Sequence, residues 1–122
     1  MEQTILDADK VSRFIFENHG VRGEIVKLND TIVNLLAKHN YKKCVEQLLK
    51  ELSLAASLIA ATLKSNDEIM IQIQGKQDSS ALRFAAINMK QDLSLYGSAS
   101  LYDNEISDNV TFKELIGEGA CL

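Results

Sequence analysis

Proline is absent from this chain of 122 residues. At the average frequency of about 5%, roughly six prolines would be expected in a chain of this length. The absence removes the slow isomerisation of X–Pro bonds as a step that could limit folding. It does not point to any class of function.

Cysteine is scarce, and the two cysteines that are present, Cys44 and Cys121, lie far apart in the sequence. They cannot form the dense disulfide framework of a small secreted domain. Residues 1–7 are acidic and have no long apolar core, which argues against a secretory signal. The longest apolar stretch, 52–63, is too short to cross a membrane and contains hydroxyl residues. These features predict a soluble, cytoplasmic protein.

Clusters of positive charge are also missing. The net charge is −4, and Lys42 and Lys43 are the only adjacent pair among 13 scattered basic residues. This distribution argues against a nucleic-acid-binding surface or an anionic membrane as the partner. The length and the hydrophobic share of 46% fit one globular domain or part of a larger one.

No catalytic or cofactor motif is found. The chain has no Gly-x-Ser-x-Gly elbow, no phosphate-cradling Gly-Lys-Ser/Thr and no dinucleotide fingerprint. His19 and His39 have no second ligand at helical spacing, and His39 suits the end of a helix. The acidic residues of 103–108 do not have calcium-loop spacing. We therefore expect no enzyme, no cofactor and no metal site in this chain.

Each cysteine has two interpretations. Cys44 opens a predicted helix beside Lys42 and Lys43, a setting that favours a reactive thiolate. The alternative is a small buried hydrophobic residue. Cys121, near the end of the chain, is either a core residue or a redox site.

The first part of the chain predicts a β-hairpin. Residues 12–17 and 21–28 alternate between apolar and polar, and 18–20 form a turn signal between them. Gly23 indicates a bulge or a close backbone approach in the second strand. Arg22 is expected to pair with Glu24 or with a carboxylate elsewhere.

Two helices are predicted next. Asn29 and Asp30 offer an N-cap for a short helix over 31–38, and 43–64 is the strongest helix of the chain. Its second half is apolar nearly all round, so it is expected to be buried on more than one side. The apolar stripe consists of Val45, Leu48, Leu49, Leu52, Ala56, Ile59 and Leu63, which Leu54, Leu58 and Ala60 join.

Three strands then predict an antiparallel meander with one apolar and one polar face. The expected inward residues are Ile69, Ile71 and Ile73, then Leu82, Phe84 and Ala86, then Leu93, Leu95, Gly97, Ala99 and Leu101. The polar face carries Gln72, Gln74, Ser94, Tyr96 and Ser98. The order strand-strand-helix-helix-strand-strand-strand predicts an α+β fold with helices on one side of an antiparallel sheet.

The end of the chain predicts a helical turn over Phe112–Ile116, a stop at Gly117 and the start of a strand at 119–122. A strand cut at its start would leave backbone groups unpaired. We therefore expect a longer protein, of which 1–10 is a flexible lead-in and 11–122 an incomplete domain.

Five segments together resemble the N-terminal part of the redox-regulated 33 kDa chaperonin family of bacterial heat-shock holdases. They are RFIFEN (13–18), VRGEIV (21–26), LSLAASLIAATLK (52–64), IQIQG (71–75) and LIGEG (115–119). Each segment alone is weakly specific, whereas five in the same order and spacing are fairly specific. The resemblance covers residues 11–122.

The resemblance implies a cytoplasmic, ATP-independent holdase that binds unfolding client proteins through apolar surface and forms a homodimer. Strand exchange between identical chains would repair an open sheet edge. The family's switch is a C-terminal zinc centre of Cys-x-Cys and Cys-x-x-Cys motifs that oxidises to disulfides. This chain has neither motif, so zinc is expected only outside it and no residue here is assigned a redox role.

Phe14 is the candidate residue for the client-binding surface, because the family places an aromatic residue on this first strand. The alternative is that Phe14 is an ordinary core residue. A second function remains open at this point: a structural or dimerisation module with no client binding of its own.

Overall fold

The computed structural model describes residues 10–37, 39–62, 68–90, 94–118 and 120–122. It has the predicted α+β architecture, and the lead-in predicted over 1–10 lies outside these residues apart from its last one. The elements are β1 (Lys10–Phe16), β2 (Val21–Lys27), α1 (Asp30–Ala37), α2 (Lys43–Thr62), β3 (Ile69–Gln74), β4 (Leu82–Met89), β5 (Leu95–Leu101) and α3 (Phe112–Ile116). None of the described helices is both long and apolar enough to span a bilayer.

Strands β1 and β2 form the predicted hairpin as a separate two-stranded sheet. The turn closes with a hydrogen bond of 3.1 Å from the His19 amide to the Phe16 carbonyl, and Gly20 supplies the left-handed conformation with φ of 61°. The register runs without a shift from Lys10 opposite Lys27 to Phe16 opposite Val21. The bulge that was one interpretation of Gly23 is therefore absent from this hairpin.

Helix α2 is the centre of the core, as its apolar stripe predicts. Its buried residues include Leu49 and Ala56, while Ile59, which was predicted inward, is exposed. The predicted end of the helix, 63–64, lies outside the described residues. Ser53 and Ser57 are fully buried, and each hydroxyl donates to the carbonyl one turn earlier, at 2.7 and 2.8 Å. These small residues satisfy their own polar groups and let the helix approach the sheet closely.

Strands β3, β4 and β5 form the predicted antiparallel meander in that order. Strand β3 has the predicted bounds, with Ile73 buried and Ile69 and Ile71 packed against the core. In β5, Leu95 and Ala99 also pack against the core, whereas Leu93 lies outside the described residues. The sheet thus turns one face toward α2.

The predicted inward residues of β4 are partly wrong. Leu82 is buried, but the next buried residues are Ala85, Ile87 and Met89, because the register shifts between Leu82 and Phe84. One extra residue in a bulge reverses the alternation of the strand. Phe84 and Ala86, which were predicted inward, therefore lie half-buried on the opposite face.

The end of the chain folds back onto the meander. Helix α3 has the predicted bounds, is capped by the Thr111 side chain and stops at Gly117, whose φ is 69°. Cys121 then pairs with Gln74 on the free edge of β3, through reciprocal backbone hydrogen bonds of 2.8 and 2.9 Å. The strand predicted over 119–122 is present as this one pair, and Gly119 lies outside the described residues.

Candidate functional site

The hairpin has two distinct faces. Residues directly opposite each other in an antiparallel pair share a face, and successive residues alternate. The pairs Ser12–Ile25, Phe14–Gly23 and Phe16–Val21 therefore lie on one face. We call its four large apolar residues the hairpin patch: Phe14, Phe16, Val21 and Ile25.

The opposite face of the hairpin packs on α2. Glu24 and Val26 are half-buried there. Glu24 also lines a cavity of about 370 Å³ between β2 and α2, together with Arg22, Gly23, Leu58, Ile59 and Thr62. Helix α2 supports this side at Glu24 and Val26, whereas Ile15, on the same side near the turn, is 71% exposed; the hairpin patch on the other face is open to solvent along its length.

The side chains of the hairpin patch are all exposed. The exposed fractions are 41% for Phe14, 52% for Phe16, 50% for Val21 and 56% for Ile25. The rings of Phe14 and Phe16 meet edge to face, with centroids 5.6 Å apart. A contiguous apolar surface of this kind on a soluble domain is typical of an interaction site.

The hairpin's ion pair lies on the side that faces α2. Arg13 Nε lies 3.4 Å from Glu24 Oε1, and the Glu24 side chain is only 11% exposed. Arg22, which was expected to pair with Glu24 or another carboxylate, is not the partner of Glu24. Arg13 is the partner of Glu24 because the strand register places these two residues directly opposite each other.

An apolar groove lies between the two helices that follow the hairpin, α1 and α2. Helices α1 and α2 enclose a cavity of about 400 Å³, lined by Leu28, Asn29, Ile32, Val33, Leu36, Lys50 and Leu54. Val33 and Leu54 are exposed at its rim. The second apolar side predicted for α2 is therefore only partly covered.

The cysteines and histidines do not form a site in the part of the chain that the structure describes. Cys44 is half-buried, packs against the core and lies 3.9 Å from the Ser107 carbonyl, as the hydrophobic interpretation expects. Cys121 is exposed, so the interpretation as a core residue is wrong. The His39 ring packs at 5.2 Å against Tyr41. No group of three or more potential metal ligands converges among the described residues.

Sequence reasoning identified only one member of the hairpin patch. Phe14 was singled out, whereas Phe16, Val21 and Ile25 were not. These three residues could have been found from the turn at 17–20. The turn places Phe16 opposite Val21 and thereby sets which residues of β1 and β2 are paired. The role of Phe14 in binding remains a prediction.

Comparison with known proteins gives one consistent result. The model of the Hsp33 protein family matches residues 9–122. The 33 kDa chaperonins of Yersinia pestis (strain Pestoides F) and Yersinia pseudotuberculosis serotype O:1b (strain IP 31758) are each 40% identical over 111 residues. That alignment covers 91% of this chain and 37% of either relative, so the chain spans a little over a third of their length.

Proposed function

The chain belongs to the Hsp33 protein family, and we propose on that premise that it is an ATP-independent holdase that binds unfolding polypeptides through the hairpin patch. The observation that carries the proposal is the exposure of Phe14, Phe16, Val21 and Ile25 on one face. Unfolding proteins expose the same kinds of side chain, and covering both surfaces removes apolar area from water.

The size of the hairpin patch supports weak and reversible binding. A fully buried Phe or Ile side chain contributes about 1.5–3 kcal/mol, so four half-exposed side chains gain roughly 3–6 kcal/mol when covered. Before the costs of association, this corresponds to a dissociation constant between about 40 μM and 6 mM. Such binding delays aggregation without trapping the client. The α1–α2 groove offers further apolar surface to a longer client segment.

The hairpin patch is held in place by the rest of the domain. A two-stranded hairpin alone is at best marginally stable in water. Here α2 packs against the side of the half-buried Glu24 and Val26, and the Arg13–Glu24 pair joins the two strands of the hairpin to each other. The apolar residues therefore stay presented instead of collapsing into the core.

The proposal also covers the cellular location, the oligomeric state and the partners of the chain. We place it in the cytoplasm and expect a homodimer, for which the free edge of β3 beyond the Gln74–Cys121 pair offers a site for strand exchange. The net charge of −4 supports neither nucleic acid nor an anionic membrane as its partner. No step of the proposed function uses a metal, a cofactor or catalysis by this chain.

The second candidate function is a structural or dimerisation module without client binding. It is favoured by the open β3 edge and by the coverage of only 37% of the relatives' length. In that case, the client-binding surface of the family lies in the part of the relatives that this chain does not span.

A light-scattering assay separates the two functions. A chemically unfolded client protein is diluted into reducing buffer with and without the 122-residue chain. We expect the chain to suppress aggregation, the double variant Phe14→Ser/Phe16→Ser to lose most of this effect, and the control Met70→Ser/Phe112→Ser to keep it. The control residues are similarly exposed, at 64% and 56%, but lie on other elements. A folded chain that does not suppress aggregation would leave only the module function.

A further inference from the structure

The cavity between β2 and α2 is separate from the hairpin patch, and the proposed function makes no use of it. Its lining residues come from three consecutive positions of β2 and from the end of α2: Arg22, Gly23, Glu24, Leu58, Ile59 and Thr62. Arg22 and Glu24 lie on the face of the hairpin toward α2, because they share it with Arg13, the partner of Glu24. A ligand in this cavity therefore contacts the side of the hairpin opposite the hairpin patch.

The helix side of the cavity is apolar. Leu58 is half-buried and Ile59 is 45% exposed. The hydroxyl of Thr62 donates to the Ile59 carbonyl at 2.7 Å, so its polar group is already bonded within the helix. Ile15, directly opposite Arg22 in the hairpin, is exposed on the same side. These residues offer an aliphatic side chain a surface on which apolar area is removed from water.

Arg22 gives the cavity a positive charge that is not neutralised. Its guanidinium is charged at any physiological pH, its side chain is exposed, and it has no ion-pair partner among the residues that the structure describes. The Glu24 carboxylate lies 3.4 Å from Arg13 Nε. Arg13, Arg22 and Glu24 together carry a charge of +1. The described residues therefore do not supply the carboxylate that the sequence predicts for Arg22.

We infer that this cavity binds the C-terminal residue of a polypeptide whose last side chain is Leu, Ile or Val. The side chain contacts Leu58 and Ile59, and the terminal carboxylate pairs with Arg22, because a planar guanidinium matches the two oxygens of a carboxylate. A C-terminal residue carries both groups on one carbon atom. The cavity, at about 370 Å³, is near the lower end of the range for ligand cavities, which suits a chain end better than a longer segment.

The surroundings of the cavity favour a chain end over two other carboxylates. A free aliphatic acid would keep much of its surface in water, because Arg22 and Ile59 are both exposed. The residue before a C-terminal residue adds a contact with the exposed Ile15. An Asp or Glu inside an extended chain is disfavoured because neighbouring side chains point to opposite faces. Its carboxylate and the adjacent aliphatic group would not enter the same cavity.

The test is a nuclear magnetic resonance titration of the isotope-labelled 122-residue chain, followed at the backbone amides of Gly23 and Ile59. The probe is the acetylated tripeptide Ser-Ser-Leu with a free C-terminal carboxylate. We expect a dissociation constant of roughly 1–10 mM. The same peptide with a C-terminal amide should bind about three- to tenfold more weakly, because it lacks the charge that pairs with Arg22.

Two further probes distinguish the source of the carboxylate. Isocaproate is leucine without its amino group, so it keeps the aliphatic group and the carboxylate but has no preceding residue. Acetylated Ser-Leu-Asp with a C-terminal amide carries its carboxylate on a side chain. Both should bind more weakly than the free-acid tripeptide. Equal or tighter binding of either probe would overturn the assignment to a polypeptide C-terminus.

Three variants test the residues of the cavity. Arg22→Gln should bind the free acid with the affinity of the amide form, and Ile59→Ser should weaken the binding of both forms alike. Lys113→Gln is the charge-matched control, because it removes one positive charge from an exposed position on α3 and should bind as the unchanged chain does. The amide signal of the fully buried Ile87 shows that each variant remains folded.

The inference can fail without the proposed function. Equal affinity of the unchanged chain for the acid and amide forms overturns it, as does a preference for the acid that survives in Arg22→Gln or is lost in Lys113→Gln. None of these results affects the proposed function, because the hairpin patch lies on the other face of the hairpin and is tested separately by light scattering.

Discussion

The ring of Phe14 lies directly against Gly23 of the opposing strand. A Cβ atom built at position 23 would overlap three carbon atoms of this ring. A glycine weakens a strand because it has no side chain to pack, and an aromatic ring that covers it from the partner strand compensates for this loss. This contact explains why a glycine occupies position 23. It also explains why Phe14, whose ring lies over that glycine, is the least exposed member of the hairpin patch.

Gly23→Ala is expected to turn the Phe14 ring outward. The overlapping atoms belong to the far end of a side chain that can rotate, and alanine is the better strand residue, so the free energy of unfolding should change by less than about 1 kcal/mol. The exposure of the ring should rise, and with it the fluorescence of a bound hydrophobic dye. Gly20→Ala is the control, because its positive φ is strained without any neighbour within 4 Å. Dye binding that is unchanged in Gly23→Ala contradicts the packing described here.

The two faces of β4 should differ sharply in their response to mutation. Ile87 is fully buried, so Ile87→Ala should lower the free energy of unfolding by about 2–5 kcal/mol. Phe84 is half-buried on the other face, and Phe84→Ala should cost less despite the loss of more atoms. Urea denaturation followed by circular dichroism measures both. If Phe84→Ala lowers the free energy of unfolding more than Ile87→Ala does, Phe84 lies on the buried face, as strict alternation predicts.

This contrast shows what a single sequence can predict here. The bounds of β3 and α3 follow from local signals: strict alternation over 69–74, and a helix stop at Gly117. The alternation of β4 is reversed by a bulge that depends on pairing with β5, which no local pattern reveals. Ile59 fits the apolar stripe of α2, yet it is exposed because the hairpin covers that side of the helix only partly.

The candidate site, like the fold, can be predicted only in part from the sequence. Phe14 was predicted from the family resemblance, which places an aromatic residue on the first strand, but the whole hairpin patch follows only from the register. The Arg13–Glu24 pair also follows from the register, since partners across a hairpin meet directly. The packing of α2 against one face of the hairpin, which decides which side remains open to solvent, requires the tertiary structure.

Ser57 should tolerate removal of its hydroxyl but not added volume. Its side chain is fully buried, donates to the Ser53 carbonyl and lies 3.2 Å from Met89 Sδ. Ser57→Ala removes a donor whose partner carbonyl lies inside the helix, so the cost should stay below about 1 kcal/mol. Ser57→Leu forces a larger side chain between α2 and β4 and should cost about 1–3 kcal/mol or more.

Chemical denaturation of the two Ser57 variants checks this expectation. The slope of unfolding free energy against urea should remain the same if only the native packing is affected. Equal stability of Ser57→Leu and Ser57→Ala would mean that α2 and the meander are not closely packed at this point.

Gly117 is expected to control the attachment of the chain end to the free edge of β3. Its φ of 69° is unfavourable for other residues, and a Cβ there would overlap the Ser79 carbonyl, which is backbone and cannot rotate away. The Ser80 hydroxyl donates to the Ile116 carbonyl, and the Ala81 amide donates to the Leu115 carbonyl at 3.1 Å, so this segment is held tightly. Gly117→Ala should therefore loosen the segment and weaken the Gln74–Cys121 pair.

Amide hydrogen exchange at Gln74 should accelerate by more than tenfold in Gly117→Ala, while exchange at Ile87 in the central strand should change only as far as global stability falls. In Gly20→Ala, which introduces comparable backbone strain in the hairpin, Gln74 should exchange as it does in the unchanged chain. Equal protection of Gln74 in all three chains would show that the Cys121 pair forms independently of the glycine stop.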